Sequence, residues 1–255
     1  MKAINVLTIL LLYCLIGCSG ERTEHKNTFE PRDEDLEQIE TIDGLADFVV
    51  GSTTFQSFSK RYRQYNWHVS YSELFYDEEW DSPWDVEWEK AYKDFNYDNR
   101  VKLIDNLKKN KSIRSIKLSN YKVGEIELQN FYLAFFKDTL VALRFEPDKE
   151  HRMSLRDHYL SKYGCGKGFS DTLDLLDVIG RYSIKEEREW SNQLLTTSYS
   201  RMRYFDKKKG YDMDENIYFY WHKRLYPMYV NAIEDEVNKY QESKSESIKT
   251  SLTAF

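Results

Sequence analysis

The sequence predicts an α+β fold, an antiparallel sheet built from hairpins with helices packed on one face. Three observations carry this reading. Apolar residues recur at helical spacing between residues 84 and 107 and again between 228 and 240. From Ser112 the period of apolar residues changes from about 3.6 to 2. Turn signals then separate the alternating segments, as hairpins require. Helices followed by hairpins, then another helix and more hairpins, is the order of an α+β domain, not of parallel βαβ units.

Taken in order, the chain begins with Lys2, the one charge in its first 17 residues, and an apolar run interrupted only by Asn5 and Thr8. At about 13 residues the run has the length of a signal-peptide core and falls short of the about 20 residues that span a bilayer. It ends in Leu15-Ile16-Gly17-Cys18. This stretch resembles the lipobox of bacterial lipoproteins. The resemblance implies transfer of a diacylglyceryl group to Cys18, cleavage before it, and acylation such as palmitate on the new amino terminus. Two or three chains anchor stably where one does not. Ser19, where an Asp would favour the inner membrane, points to the outer membrane. The implied location is the cell envelope, with the domain in the periplasm or at the cell surface.

Residues 18–40 are rich in Glu, Lys, Arg and Asp and poor in aliphatics. They read as a flexible tether with a reach of about 25 Å. The globular domain is expected over residues 41–240, with possible halves 41–150 and 151–240. Ser52-Thr53-Thr54 caps a helix starting at Phe55. Ser82-Pro83-Trp84-Asp85 starts another, whose Trp84, Trp88, Ala91, Tyr92 and Phe95 form one apolar stripe, and residues 100–107 continue as helix. Strands are expected over 113–118, 125–136 and 140–145, with a tight turn at Lys137-Asp138. Residues 153–163 form a helix with Leu155, Tyr159 and Tyr163 on one side and Gly164 as its stop. Residues 173–178 are ambiguous. Strands 187–192 and 194–205 pair about Ser191-Asn192, 216–222 is another strand, and Trp190 and Trp221 read as core. The helix over 228–240 turns Tyr229, Ile233, Val237 and Tyr240 inward, and 241–255 reads as a disordered tail. The helix-then-hairpin order over residues 50–145, with the lipobox, resembles small outer-membrane assembly lipoproteins of the BamE-like type at the level of pattern.

Composition narrows the function. The formal net charge is −6 and becomes −7 without Lys2, which argues against nucleic acid as a partner and leaves membrane attachment to the lipid on Cys18. Cleavage also removes Cys14, so Cys165 has no partner for an internal disulfide. Stability then rests on a packed core, for which 20 Tyr, 14 Phe and 6 Trp supply area.

Four of the tryptophans, Trp67, Trp80, Trp84 and Trp88, lie in a stretch whose residues 73–98 hold ten acids against Lys90 and Lys93. Aromatic faces flanked by carboxylates suit a glycan; the competing reading is an amphipathic helix with Trp inward. Asp77, Glu78, Glu79 and Asp81 lack the register of a calcium loop, so no metal or other cofactor is expected. Gly164-Cys165-Gly166-Lys167-Gly168 lacks phosphate-loop spacing. Gly168-Phe169-Ser170-Asp171-Thr172 lacks the last glycine of a nucleophile elbow, and no histidines have metalloprotease spacing. The leading expectation is therefore a non-enzymatic, membrane-anchored binding or envelope-assembly module with a protein or polymer partner. A glycan-binding surface lipoprotein using residues 67–97 is the alternative, and a hydrolase of unrecognised type is the third.

Overall fold

The computed structural model describes residues 27–29, 42–71 and 97–253. Cys18, Trp80, Trp84, Trp88 and the helix expected after Pro83 lie outside the described residues. The elements run β1 (Asn27–Phe29), β2 (Gly44–Leu45), β3 (Phe48–Val49), α1 (Phe55–Arg61), β4 (Trp67–Val69), α2 (Tyr97–Lys109), β5 (Ile113–Leu118), β6 (Tyr121–Val123), β7 (Ile126–Phe136) and β8 (Thr139–Pro147). After these come α3 (Arg152–Tyr163), β9 (Lys167–Leu175), α4 (Leu176–Ile179), β10 (Arg181–Ser191), β11 (Leu195–Asp206), β12 (Tyr211–His222) and α5 (Leu225–Thr253). Ten strands make one antiparallel sheet in the order β1-β9-β10-β11-β12-β8-β7-β5-β4, with β6 also on β7. The class is α+β, as the change of period implies.

Local chemistry fixes several boundaries. The Thr54 side chain accepts from the Ser57 amide at 3.0 Å, and Ser57 Oγ accepts from the Thr54 amide at 3.2 Å, a reciprocal cap at the start of α1. Lys137 and Asp138 take φ of 48° and 72°, the pair of left-handed residues that matches the twist of a two-residue hairpin. Asp148 accepts from the Glu127, Glu150 and His151 amides and from His151 Nδ1, tying the start of α3 to β7. His222 Nδ1 accepts from the Arg224 and Leu225 amides at the start of α5. Burial and the nearby Arg224 hold its imidazole below the usual histidine range, so it keeps the neutral form in which Nδ1 can accept.

Helices cover both faces of the sheet, where one was expected. Residues of β7 alternate between two cores: Phe131, Leu133 and Phe135 face one, Ala134 and Phe136 the other. Phe58 of α1 and Tyr159 and Tyr163 of α3 complete the first core, together with Phe48, Tyr62, Trp190 and Tyr218. Leu103 and Leu107 of α2 and Tyr226, Tyr229, Ile233 and Val237 of α5 complete the second. The reason is visible in β7, whose last six residues are all buried; a strand apolar on both sides needs a layer on each.

Two further differences concern the ends. Residues 27–29, within the expected tether, pair with β9 in the register Asn27↔Ser170 to Phe29↔Gly168. Residues 241–253, within the expected tail, continue α5 to Thr253. That stretch contains neither Gly nor Pro, the residues that most strongly break a helix.

Candidate functional site

On the first face, a cleft of about 430 Å³ lies beside α3. Three elements form it. The β2–β3 hairpin contributes Gly44, Leu45 and Ala46, the β6–β7 turn contributes Val123 and Ile126, and α3 contributes Ser154, Leu155, His158, Tyr159, Lys162 and Tyr163. Tyr220 of β12 closes the floor.

Each wall is fixed by packing behind it. Phe48, fully buried, stacks on Tyr62 with centroids 5.1 Å apart and meets Tyr121 and Phe131 edge-on at 5.2 Å. Asp47, at the hairpin tip, accepts from the Tyr62 hydroxyl at 3.0 Å and pairs with Arg61 at 2.7 Å. The hairpin is thus held at its apolar side and at its tip. On α3, the i, i+4 rule divides the helix into two ridges. Leu155, Tyr159 and Tyr163 point to the floor, as their spacing predicts, and Ser154, His158 and Lys162 form the rim.

The floor is aromatic and tightly bonded. The Tyr159 and Tyr220 hydroxyls hydrogen-bond to one another. Tyr159 also contacts Tyr218 at 4.7 Å, and Tyr163 and Trp190 at 5.5 and 6.0 Å. Burial first, then the neighbouring phenols, pushes Tyr159 well above the usual tyrosine range; burial raises Tyr220 likewise. Both stay neutral at physiological pH and serve as hydrogen-bonding groups, not as phenolate bases. Ser154 Oγ donates to the His151 carbonyl at 3.0 Å, so its proton is directed at the helix backbone and not at His158.

Beneath α3 a charged cluster ties helix to sheet. Glu186 accepts from Arg156 Nε and Nη2 at 2.9 and 2.7 Å, and from Arg188 Nε and Nη2 at 3.1 and 3.0 Å. Burial alone would raise the Glu186 carboxyl, but the Arg156 and then the Arg188 hydrogen bonds hold it below the usual glutamate range. Alongside, Arg201 pairs with Asp214 at 3.0 Å, and the Tyr199 hydroxyl donates to Asn216 at 2.8 Å. These groups satisfy one another and act as a fastening.

Trp67, the glycine-rich turn and Ser170 fall outside the cleft. Trp67 is half-buried on β4, its ring edge-on to Phe55 at 6.1 Å and tilted against Phe58 at 5.4 Å. It extends the first core. The glycine-rich turn after α3 wraps Trp190, whose Nε1 donates to the Gly164 carbonyl at 3.0 Å. Gly166 has φ of 66°, and a Cβ there would lie 2.7 Å from Trp190 Nε1. That contact, and no phosphate, accounts for the glycine. Cys165 is exposed and unpaired, and Ser170 lies mid-strand in β9, opposite Asn27 and Glu186. Among the described residues no three His, Cys, Asp or Glu side chains converge on a metal position, and no helix is long and apolar enough to cross a membrane.

The cleft was not visible in the sequence as a site. Its α3 ridge was, but its other walls come from segments about thirty to over a hundred residues away. Compared with family models, curated proteins and solved structures, the chain has no match.

Proposed function

We propose that the protein is a membrane-anchored binding lipoprotein of a bacterial envelope, held by lipid on Cys18, with the cleft along α3 as its recognition site. The observation that carries the binding role is the cleft itself. Its volume lies within the range of ligand sites, and its apolar lining is broken by a few polar groups that fix orientation. Its neutral, mutually bonded phenols suit holding a ligand better than transferring a proton. The anchoring half rests on the signal-peptide core and the Leu15-Ile16-Gly17-Cys18 motif. With Ser19 after the modified cysteine, the outer membrane is the favoured location. The partner is then an envelope component that presents an apolar segment.

One experiment tests both halves. A photo-crosslinking amino acid replaces Leu155 in the full-length chain, is activated in cells, and is compared with the same substitution at Asn231 on the exposed side of α5. A Cys18→Ser form serves as control. The expected result is one envelope component captured from position 155 only, with lipid labelling and membrane retention lost in the Cys18→Ser form. Equal capture from 231, or background alone from 155, overturns the cleft as the recognition site. Membrane retention without lipid label overturns the anchor.

A further inference from the structure

We infer that the end of the sheet formed by α4 and the β11–β12 turn rests on a membrane surface that carries anionic phospholipid headgroups. The inference rests on the reading of Cys18 as the lipid anchor and adds the part of the domain that meets the bilayer. Three observations point to it.

The first is where apolar side chains stand. The register sets Leu175, Arg181, Asp206 and Tyr211 side by side, so four strand ends line up. Beyond them lie α4 and the turn of residues 207–210, tied together by the Lys207 amide, which donates to the Gly180 carbonyl at 2.8 Å. Of the eight large apolar side chains exposed among the described residues, three are here: Leu176, Ile179 and Tyr211. Aliphatic groups gain by leaving water for the headgroup boundary, and tyrosine is favoured there.

The second is charge. Lys207, Lys208 and Lys209 follow one another in the turn, all exposed, and none forms an ion pair among the described residues. The acids described beside them are engaged. Asp206 is buried and accepts from the Lys208 and Lys209 amides at 3.0 and 3.1 Å and from Arg181 Nε at 3.2 Å. Asp212 pairs with Arg203 at 3.5 Å, and Asp174 accepts from the Leu176 amide at 3.1 Å. The chain as a whole carries −6 and is repelled by an anionic surface. Adhesion then requires a local cluster within about 10 Å of the headgroups, where screening is incomplete. Lysines beside exposed apolar groups provide it, and they fit a lipid surface better than a soluble polyanion, which would leave the apolar groups in water.

The third is the direction of the chain. β1 is antiparallel to β9, with Asn27 level with Ser170 and Phe29 level with Gly168. The chain therefore enters β1 from the side of α4. Asn27 lies about 17 Å along β9 from Leu175, at about 3.3 Å per residue, and residues 19–26 can span about 28 Å. An anchor on Cys18 thus reaches the bilayer on the side of the lysines without the chain reversing.

The test replaces Ile179 of the full-length chain with a polarity-sensitive fluorescent amino acid. A second protein carries it at Leu194, which is exposed at the opposite end of β10 and β11. Each is reconstituted into vesicles of phosphatidylcholine, alone or mixed with phosphatidylglycerol. The expected result is a blue shift at 179 and none at 194 when phosphatidylglycerol is present, weakened by added salt. In the Cys18→Ser form, partition onto phosphatidylglycerol vesicles should fall about fivefold for each of Lys207, Lys208 and Lys209 replaced by glutamine. The unfolding midpoint should be retained, because the turn is held through backbone amides. No shift at 179, or an equal shift at 194, in a chain that carries lipid on Cys18 overturns the inference and leaves the anchor standing. An equal shift in phosphatidylcholine alone, or partition indifferent to the three lysines, also overturns it. Lysine-dependent partition of a chain that never acquires lipid supports the inference and overturns the anchor.

Discussion

Glu186 shows how a single side chain can fasten a helix to a sheet. Arg156 reaches it from α3 and Arg188 from its own strand, and both Glu186 and Arg188 are buried. Glu186→Ala leaves those guanidinium groups without this acceptor and should cost about 3–5 kcal/mol, read from denaturant unfolding. The pH dependence has a definite sign. The carboxyl is depressed below its ordinary value of 4.5, so its contribution is complete above that value. It is lost as pH falls through the lower folded value. The native protein should therefore lose stability below pH 4.5 more steeply than the variant; parallel curves would refute the coupling. None of this cluster was legible in the sequence, because a charged residue on a strand looks the same whether its partner is solvent or an arginine thirty residues away. Local chemistry was legible: the Thr54 cap, the Lys137-Asp138 turn, and the inward ridge of Leu155, Tyr159 and Tyr163 all follow from contacts within a few positions.

At the scale of elements, periodicity read well where one face dominates. Tyr229, Ile233 and Val237 of α5 are buried as their spacing predicts, and Ile233 is fully buried. Ile233→Ala should cost about 2–5 kcal/mol in equilibrium unfolding, from lost transfer energy plus the cavity left behind. A cost below 1 kcal/mol would mean that α5 is not docked in solution. Strand β9 was harder to read, since Gly168 and Asp171 interrupt the alternation of Phe169, Leu173 and Leu175. Its strand character comes from β10 on one side and β1 on the other. The β1 pairing is testable by the register Thr28↔Phe169. Cysteines at these two positions, in a Cys165→Ser background, should form a disulfide under mild oxidation, since opposed residues of antiparallel strands lie within disulfide range. Failure to form one would place residues 27–29 back in the tether. Under the proposed anchoring, eight residues, 19–26, separate the lipidated cysteine from the sheet, a span of at most about 28 Å.

At the scale of the whole molecule, the α+β class followed from the change of period, whereas the two-sided covering did not. The signal for it is the unbroken apolar run from Phe131 to Phe136, since a strand apolar on both sides needs a layer on each. The hairpins of the first half meet those of the second over four residue pairs, Tyr218↔Phe145 to Trp221↔Ala142, with the Phe145 and Tyr218 rings stacked at 5.2 Å and 8°. Those partners are separated by roughly seventy residues of chain. At a synthesis rate of about 5–20 residues per second, β8 waits some 4–15 s for the strand that will cover it. For that interval Leu143 and Phe145 lie on an open, apolar edge of the kind that pairs with other chains. The nascent protein is thus most exposed to wrong partners in the seconds before its last strand arrives, and whatever accompanies it until then must shield that edge.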